Sequence, residues 1–88
     1  MLKNDFTIIN RLGLHARAAA QLVQKANQFV SEVTIFKEDI EVNGKSIMGL
    51  MMLAAGQGSR LTFRVVGDGS EELLAELVRL FDRRFEEA

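Results

Sequence analysis

The segment "EVTIFKEDIEVNGKS", Glu32 to Ser46, decides the fold. Val33 and Ile35 alternate with Thr34 and Phe36, the period of a half-buried strand. Glu38-Asp39 reads as a turn, after which Ile40 and Val42 share a face, so the two runs form a hairpin. A hairpin pairs its strands antiparallel, which argues against an alternating parallel α/β design. Asn43-Gly44 is a second turn signal. Ser46 then makes a good N-cap for a short helix ending before Gly56.

Working outward, "DFTII", Asp5 to Ile9, sets Phe6 and Ile8 against Thr7 and Ile9 and reads as a first strand. "NRLG" breaks that pattern. From Ala16 onward, Ala19, Leu22, Val23, Ala26 and Val30 recur at helical spacing, predicting an amphipathic helix of roughly three turns. "RLTFRVV", Arg60 to Val66, alternates Leu61, Phe63 and Val65 with Thr62, Arg64 and Val66 as a fourth strand. After "GDG", Ser70 is expected to cap a last helix with Glu71 and Glu72 in its first turn and a buried stripe of Leu73, Leu77, Leu80, Phe81 and Phe85. The order β-α-β-β-α-β-α predicts an α+β fold, with helices on one side of a mostly antiparallel sheet and water on the other. Residues 1–88 read as a single domain without repeat or linker.

Composition narrows the function. A net charge of -1 gives no electrostatic case for a nucleic acid or an anionic membrane as the main partner. With one histidine and no cysteine, a zinc site would have only His15 and scattered carboxylates, so neither metal nor cofactor is expected. The apolar run from Ile47 to Ala55 is broken by Gly49 and too short to span a bilayer. The opening "MLKNDFTIIN" lacks the unbroken apolar stretch of a signal peptide, so a cytoplasmic protein without membrane insertion is the expectation. An RNA-binding sheet would need exposed strand aromatics among basic residues, whereas Phe6 and Phe63 fall in core-facing registers.

The only histidine lies in "RLGLHARAAAQL", Arg11 to Leu22, at the seam between loop and helix. The first turn of a helix carries unpaired N–H groups and a partial positive charge, and so attracts anions, phosphate above all. Arg17 adds a guanidinium suited to phosphate oxygens, and Gly13 lets the loop bend to expose the ring. A phosphoryl group taken by His15 would be stabilised there, and its labile P–N bond would let it be passed on. From composition and position alone, a histidine that merely caps the helix or packs under a loop is the commoner reading. "NGKS", Asn43 to Ser46, is not a phosphate-binding P-loop, because Asp39 stands where its first glycine belongs. Ser46 reads as a cap, where an added phosphate would also be well held. Met48 and Met51 read either as core or as an adaptable docking patch.

Together, "LGLHAR" and the downstream "NGKSIMGLMMLAAGQGS" resemble the HPr family, the histidine-containing phosphocarriers of the bacterial phosphoenolpyruvate-dependent sugar phosphotransferase system. The resemblance spans nearly the whole chain and implies an open-faced β-sandwich, with a four-stranded antiparallel sheet and three helices on one face. It implies that His15 carries phosphate on Nδ1, received from enzyme I and given to sugar-specific A components, as a stoichiometric relay and not an independent catalyst. Arg17 would steady the phosphate. Ser46 matches a serine that a kinase/phosphorylase modifies in some bacteria, where the modified protein binds a transcriptional regulator. Ile47, Met48 and Met51 match the partner-docking patch, with Ala20 and Gln24 nearby, and a monomer is expected. The family usually has proline after the arginine, and Ala18 stands here instead. Alanine should preserve the helix while leaving the active-site loop less rigid.

Overall fold

The computed structural model describes residues 1–87. In chain order the elements are β1 (Leu2–Thr7), α1 (Ala16–Ala26), β2 (Glu32–Lys37), β3 (Ile40–Asn43), α2 (Ile47–Met52), β4 (Arg60–Val66) and α3 (Ser70–Asp82). A single 3-10 turn over Arg84–Glu86 follows. The strands form one four-stranded sheet in the order β1-β4-β2-β3, and every neighbouring pair is antiparallel.

The register lines up the apolar halves of the strands. Phe6 lies opposite Leu61, Ile35 opposite Phe63, and Val33 opposite Val65. All six side chains are buried, whereas Thr34, Phe36, Thr62 and Arg64 on the other face are only partly covered. The covered face packs against the helices. α1 contributes Ala18, Ala19, Leu22, Val23 and Ala26, and α3 contributes Leu73, Leu77, Leu80 and Phe81. Small side chains at Ala18, Ala19 and Ala26 let α1 approach closely without leaving voids, as interior packing density requires. An aromatic cluster joins sheet to helix. Phe6 stacks on Phe81 at 4.4 Å, and Phe63 meets both edge-on at 5.0 and 5.7 Å.

The hairpin and its flanking turns form as the sequence predicts. Glu38, at φ 54, carries the turn between β2 and β3. At the next turn Asn43 Oδ1 accepts from Lys45 N at 2.8 Å, and Gly44 lies so close to the Val33 side chain that a Cβ there would collide with it.

Three boundaries differ from expectation. β1 covers Leu2–Thr7 and not Asp5 to Ile9. Ile8 is buried and bonded to Ser59 and Gly58 beyond the strand, while Ile9 turns to solvent. α1 stops at Ala26, because Asn27 turns its amide Nδ2 back onto Val23 O at 3.0 Å, and Val30 is left 83% exposed. α2 closes at Met52, before Gly56 as expected. Ser70 is not the cap of α3: Gly69 holds that position at φ 82, and Ser70 Oγ instead donates to Gly67 O at 2.5 Å. Phe85 is buried as expected, but from the separate turn that follows α3.

Candidate functional site

His15 is the N-cap residue of α1, held in extended backbone conformation at φ -76, ψ 175. Its carbonyl accepts the first helical bond from Ala19 N at 2.8 Å, but its side chain makes no capping bond. Nε2 is buried without a hydrogen-bond partner. The side chain as a whole is partly exposed, so the ring is enclosed at Nε2 and open to solvent over part of its surface. The N–H groups of the first helical turn have no intrahelical acceptors, and neither Asp nor Glu occupies that turn to neutralise its positive end. Arg17, two residues on, is exposed and forms no ion pair or hydrogen bond among the described residues. Ala18 is fully buried on the inner side of α1, and the helix forms without proline. Ala20 is partly exposed and Gln24 exposed.

The loop ahead of His15 is fixed from behind. Leu14 N donates to Ala55 O at 2.8 Å, and Gly13, at φ +67, passes so near Ala55 and Gly56 that only glycine fits. Asn10, almost fully buried, closes the turn by donating Nδ2 to Gly13 O at 2.7 Å. Through Ala55 and Gly56 the loop is anchored to the segment that leaves α2, and α1 and α2 pack against each other.

α2 settles the choice left open for its methionines. Ile47, Met48, Met51 and Met52 are 44%, 78%, 42% and 71% exposed, and Leu50 alone of this helix is buried. They form a surface patch, not core. Ser46 caps the helix as predicted, its Oγ accepting from Gly49 N at 3.0 Å. Leu12, 59% exposed in the loop ahead of His15, adds an apolar side chain that the sequence reading passed over.

Sequence reasoning also missed Glu87. Its carboxylate accepts from Arg11 N at 2.8 Å, Leu12 N at 2.9 Å and Asn10 Nδ2 at 3.1 Å. The Leu12 amide above all, helped by Asn10 and Arg11 and opposed by desolvation, holds this carboxyl below its ordinary value of 4.5. No local signal links Glu87 to residues 75 to 77 positions earlier.

An open-faced antiparallel sandwich with its single histidine at a helix start defines a small class of proteins. A family model described as "PTS HPr component phosphorylation site" matches residues 2–83, and the chain belongs to that family. The phosphocarrier protein HPr of Cupriavidus necator is 51% identical over 87 residues, covering 99% of this chain and 98% of that protein. The crystal structure of an HPr from Thermoanaerobacter tengcongensis superposes with a TM-score of 0.95 at 41% identity, covering 100% of this chain and 99% of the other. A dimer of HPr from the same organism matches with a TM-score of 0.79 at 41% identity, over 99% of this chain and 100% of that one. No helix among the described residues is long and apolar enough to cross a membrane.

Proposed function

We propose that this chain is a phosphocarrier that takes a phosphoryl group from phospho-enzyme I onto His15 Nδ1 and passes it to sugar-specific A components. The observation that carries this reading is the seating of the ring, with Nε2 enclosed and the imidazole beside unpaired helix amides and an unengaged arginine. For Nδ1 to attack through its lone pair, the ring proton resides on Nε2. A P–N bond then forms at Nδ1 as the donor's bond to phosphorus breaks, and the same exchange in reverse hands the group on. The Ala16 and Arg17 amides and the Arg17 guanidinium supply positive charge where the phosphoryl oxygens settle. Ile47, Met48 and Met51, exposed on α2, form the surface on which both partners dock, with Ala20 and Gln24 at its margin. The carrier works as a cytoplasmic monomer, which light scattering tests.

The test is incubation with enzyme I and labelled phosphoenolpyruvate. Acid-labile label is expected on the wild type and not on His15→Ala. Absence of label on the wild type, or its persistence in the variant, refutes the reading.

Ser46 supports a second, regulatory role. It is partly exposed at the head of the same patch, so a phosphate placed there by a serine kinase/phosphorylase adds charge and desolvation cost where enzyme I docks. The modified face would be read by a transcriptional regulator. Treatment with the kinase and ATP is expected to label Ser46, and an unmodified Ser46 removes this role.

A further inference from the structure

The loop from Asn10 to Leu12 presents two successive backbone N–H groups, at Arg11 and Leu12, to one carboxylate. Such paired amides form a concavity suited to an anion. Here the chain fills it with its own Glu87, which also accepts from the buried Asn10 side chain. Asn10 in turn holds Gly13 through Nδ2 at 2.7 Å and receives the Gly13 amide on its carbonyl at 3.2 Å. A short hydrogen-bonded path therefore runs from Glu87 through Asn10 to Gly13, two residues before His15.

A second, independent feature concerns how Glu87 arrives. Arg84, Phe85 and Glu86 all have left-handed backbones, at φ 53, 53 and 56. That conformation is unfavourable for residues with a Cβ and persists only where the surroundings impose it. Two contacts impose it: Phe85 is buried edge-on against Phe81 at 5.0 Å, and Gln21 Nε2 of α1 donates to Phe85 O at 3.1 Å. The strained turn is tied to α1 on one side of His15 and delivers Glu87 to the loop on the other.

We propose that Glu87 is a positioning residue, whose carboxylate fixes the Asn10–Leu12 loop and through it holds His15 in the orientation that accepts the phosphoryl group. This rests on the phosphocarrier reading. Arg11 and Leu12 are exposed, so their amides find water when the carboxylate is lost. The clasp thus adds little to global stability and acts on the geometry of the ring's approach, where small displacements slow a transfer step strongly.

The test compares the wild type with Glu87→Gln, which keeps the shape but turns an NH2 toward one of the two amide donors. Amide exchange at Arg11 and Leu12 is expected to quicken about tenfold, because their acceptor is weakened. The kcat for transfer from phospho-enzyme I is expected to fall about tenfold, with KM unchanged because the α2 patch is untouched. Glu87→Asp, which keeps the charge on a shorter side chain, should recover part of kcat, and it supplies both readouts if Glu87→Gln fails to fold. An unchanged kcat in the folded variants, or a fall in kcat in Glu87→Asp matched by loss of its whole thermal transition, overturns the clasp. Failure of the wild type itself to accept phosphate overturns the phosphocarrier reading, and the positioning role with it. A working wild type beside an unaffected variant removes the positioning role alone.

Discussion

Gly13→Ala tests how the loop carrying His15 is held. A Cβ at this position would lie 2.6 Å from Ala55 O and 2.7 Å from Gly56 Cα. Both are backbone atoms, so relief requires two loops to part and cannot come from a side chain rotating away. The left-handed conformation at φ +67 costs an alanine about 1–2 kcal/mol relative to glycine. Parting the loops also stretches the bond from Leu14 N to Ala55 O, now 2.8 Å, and such a bond contributes about 1 kcal/mol. Replacing glycine lowers the entropy of the unfolded chain, which offsets about 0.4–1 kcal/mol of this. The net loss is about 2 kcal/mol. With a urea m-value of about 1 kcal/mol/M for a chain of this size, the midpoint should fall by about 2 M at constant m. Gly56→Ala is the control, since a Cβ there meets nothing within 4 Å. It should be neutral or stabilise by up to about 1 kcal/mol. Equal midpoints for the two variants would falsify the steric reasoning.

Four further outcomes are expected. Phe63→Ala, which removes a fully buried ring from the centre of the aromatic cluster, should cost about 3–5 kcal/mol by urea unfolding. Ser46→Ala should lose about 1 kcal/mol through the missing cap on α2 while leaving phosphotransfer intact. Ser46→Asp should keep the cap but slow His15 phosphorylation, and an equal transfer rate in the two variants would contradict the regulatory reading. Glu76 is held below its ordinary 4.5 chiefly by the hydrogen bond from Lys25, with desolvation opposing and Arg79 assisting. A depressed carboxyl contributes stability that is present above its unfolded pKa and lost as pH falls through its folded pKa. Acid unfolding curves of wild type and Glu76→Gln should therefore converge below pH 4.5 and separate above it; parallel curves would show that the ion pair adds nothing.

Elements whose two faces differ sharply were legible in the sequence. β4 was read to the residue, because Leu61, Phe63 and Val65 alternate without interruption and all turn inward. β1 was misplaced because Asn4, opposite Phe63, occupies an inward register and breaks the apolar alternation. Val30 kept the helical period after the backbone had left the helix, since periodicity does not register that Asn27 turns back on Val23. Ser70 has the right side chain for a cap, but Gly69 reaches the left-handed backbone that this turn demands, and that tertiary choice decides.

The candidate site divides the same way. His15 at a helix start and Ser46 as a cap follow from local chemistry, and both are where the sequence places them. Whether the α2 methionines face the core or solvent depends on what lies above the helix, and six residues are too few to fix a buried face. Glu87 was invisible because two of its three partners are backbone amides, which every sequence possesses, and the third, Asn10, lies 77 positions away and meets it only through the strained turn after α3.

The most direct measurement is nitrogen–phosphorus coupling in the uniformly labelled chain after reaction with phospho-enzyme I. The enclosure of Nε2 in a partly exposed ring predicts one new coupling, at His15 Nδ1, lost in His15→Ala. Phosphorus on Nε2, or on any other residue, would contradict the seating of the ring on which the proposed function depends.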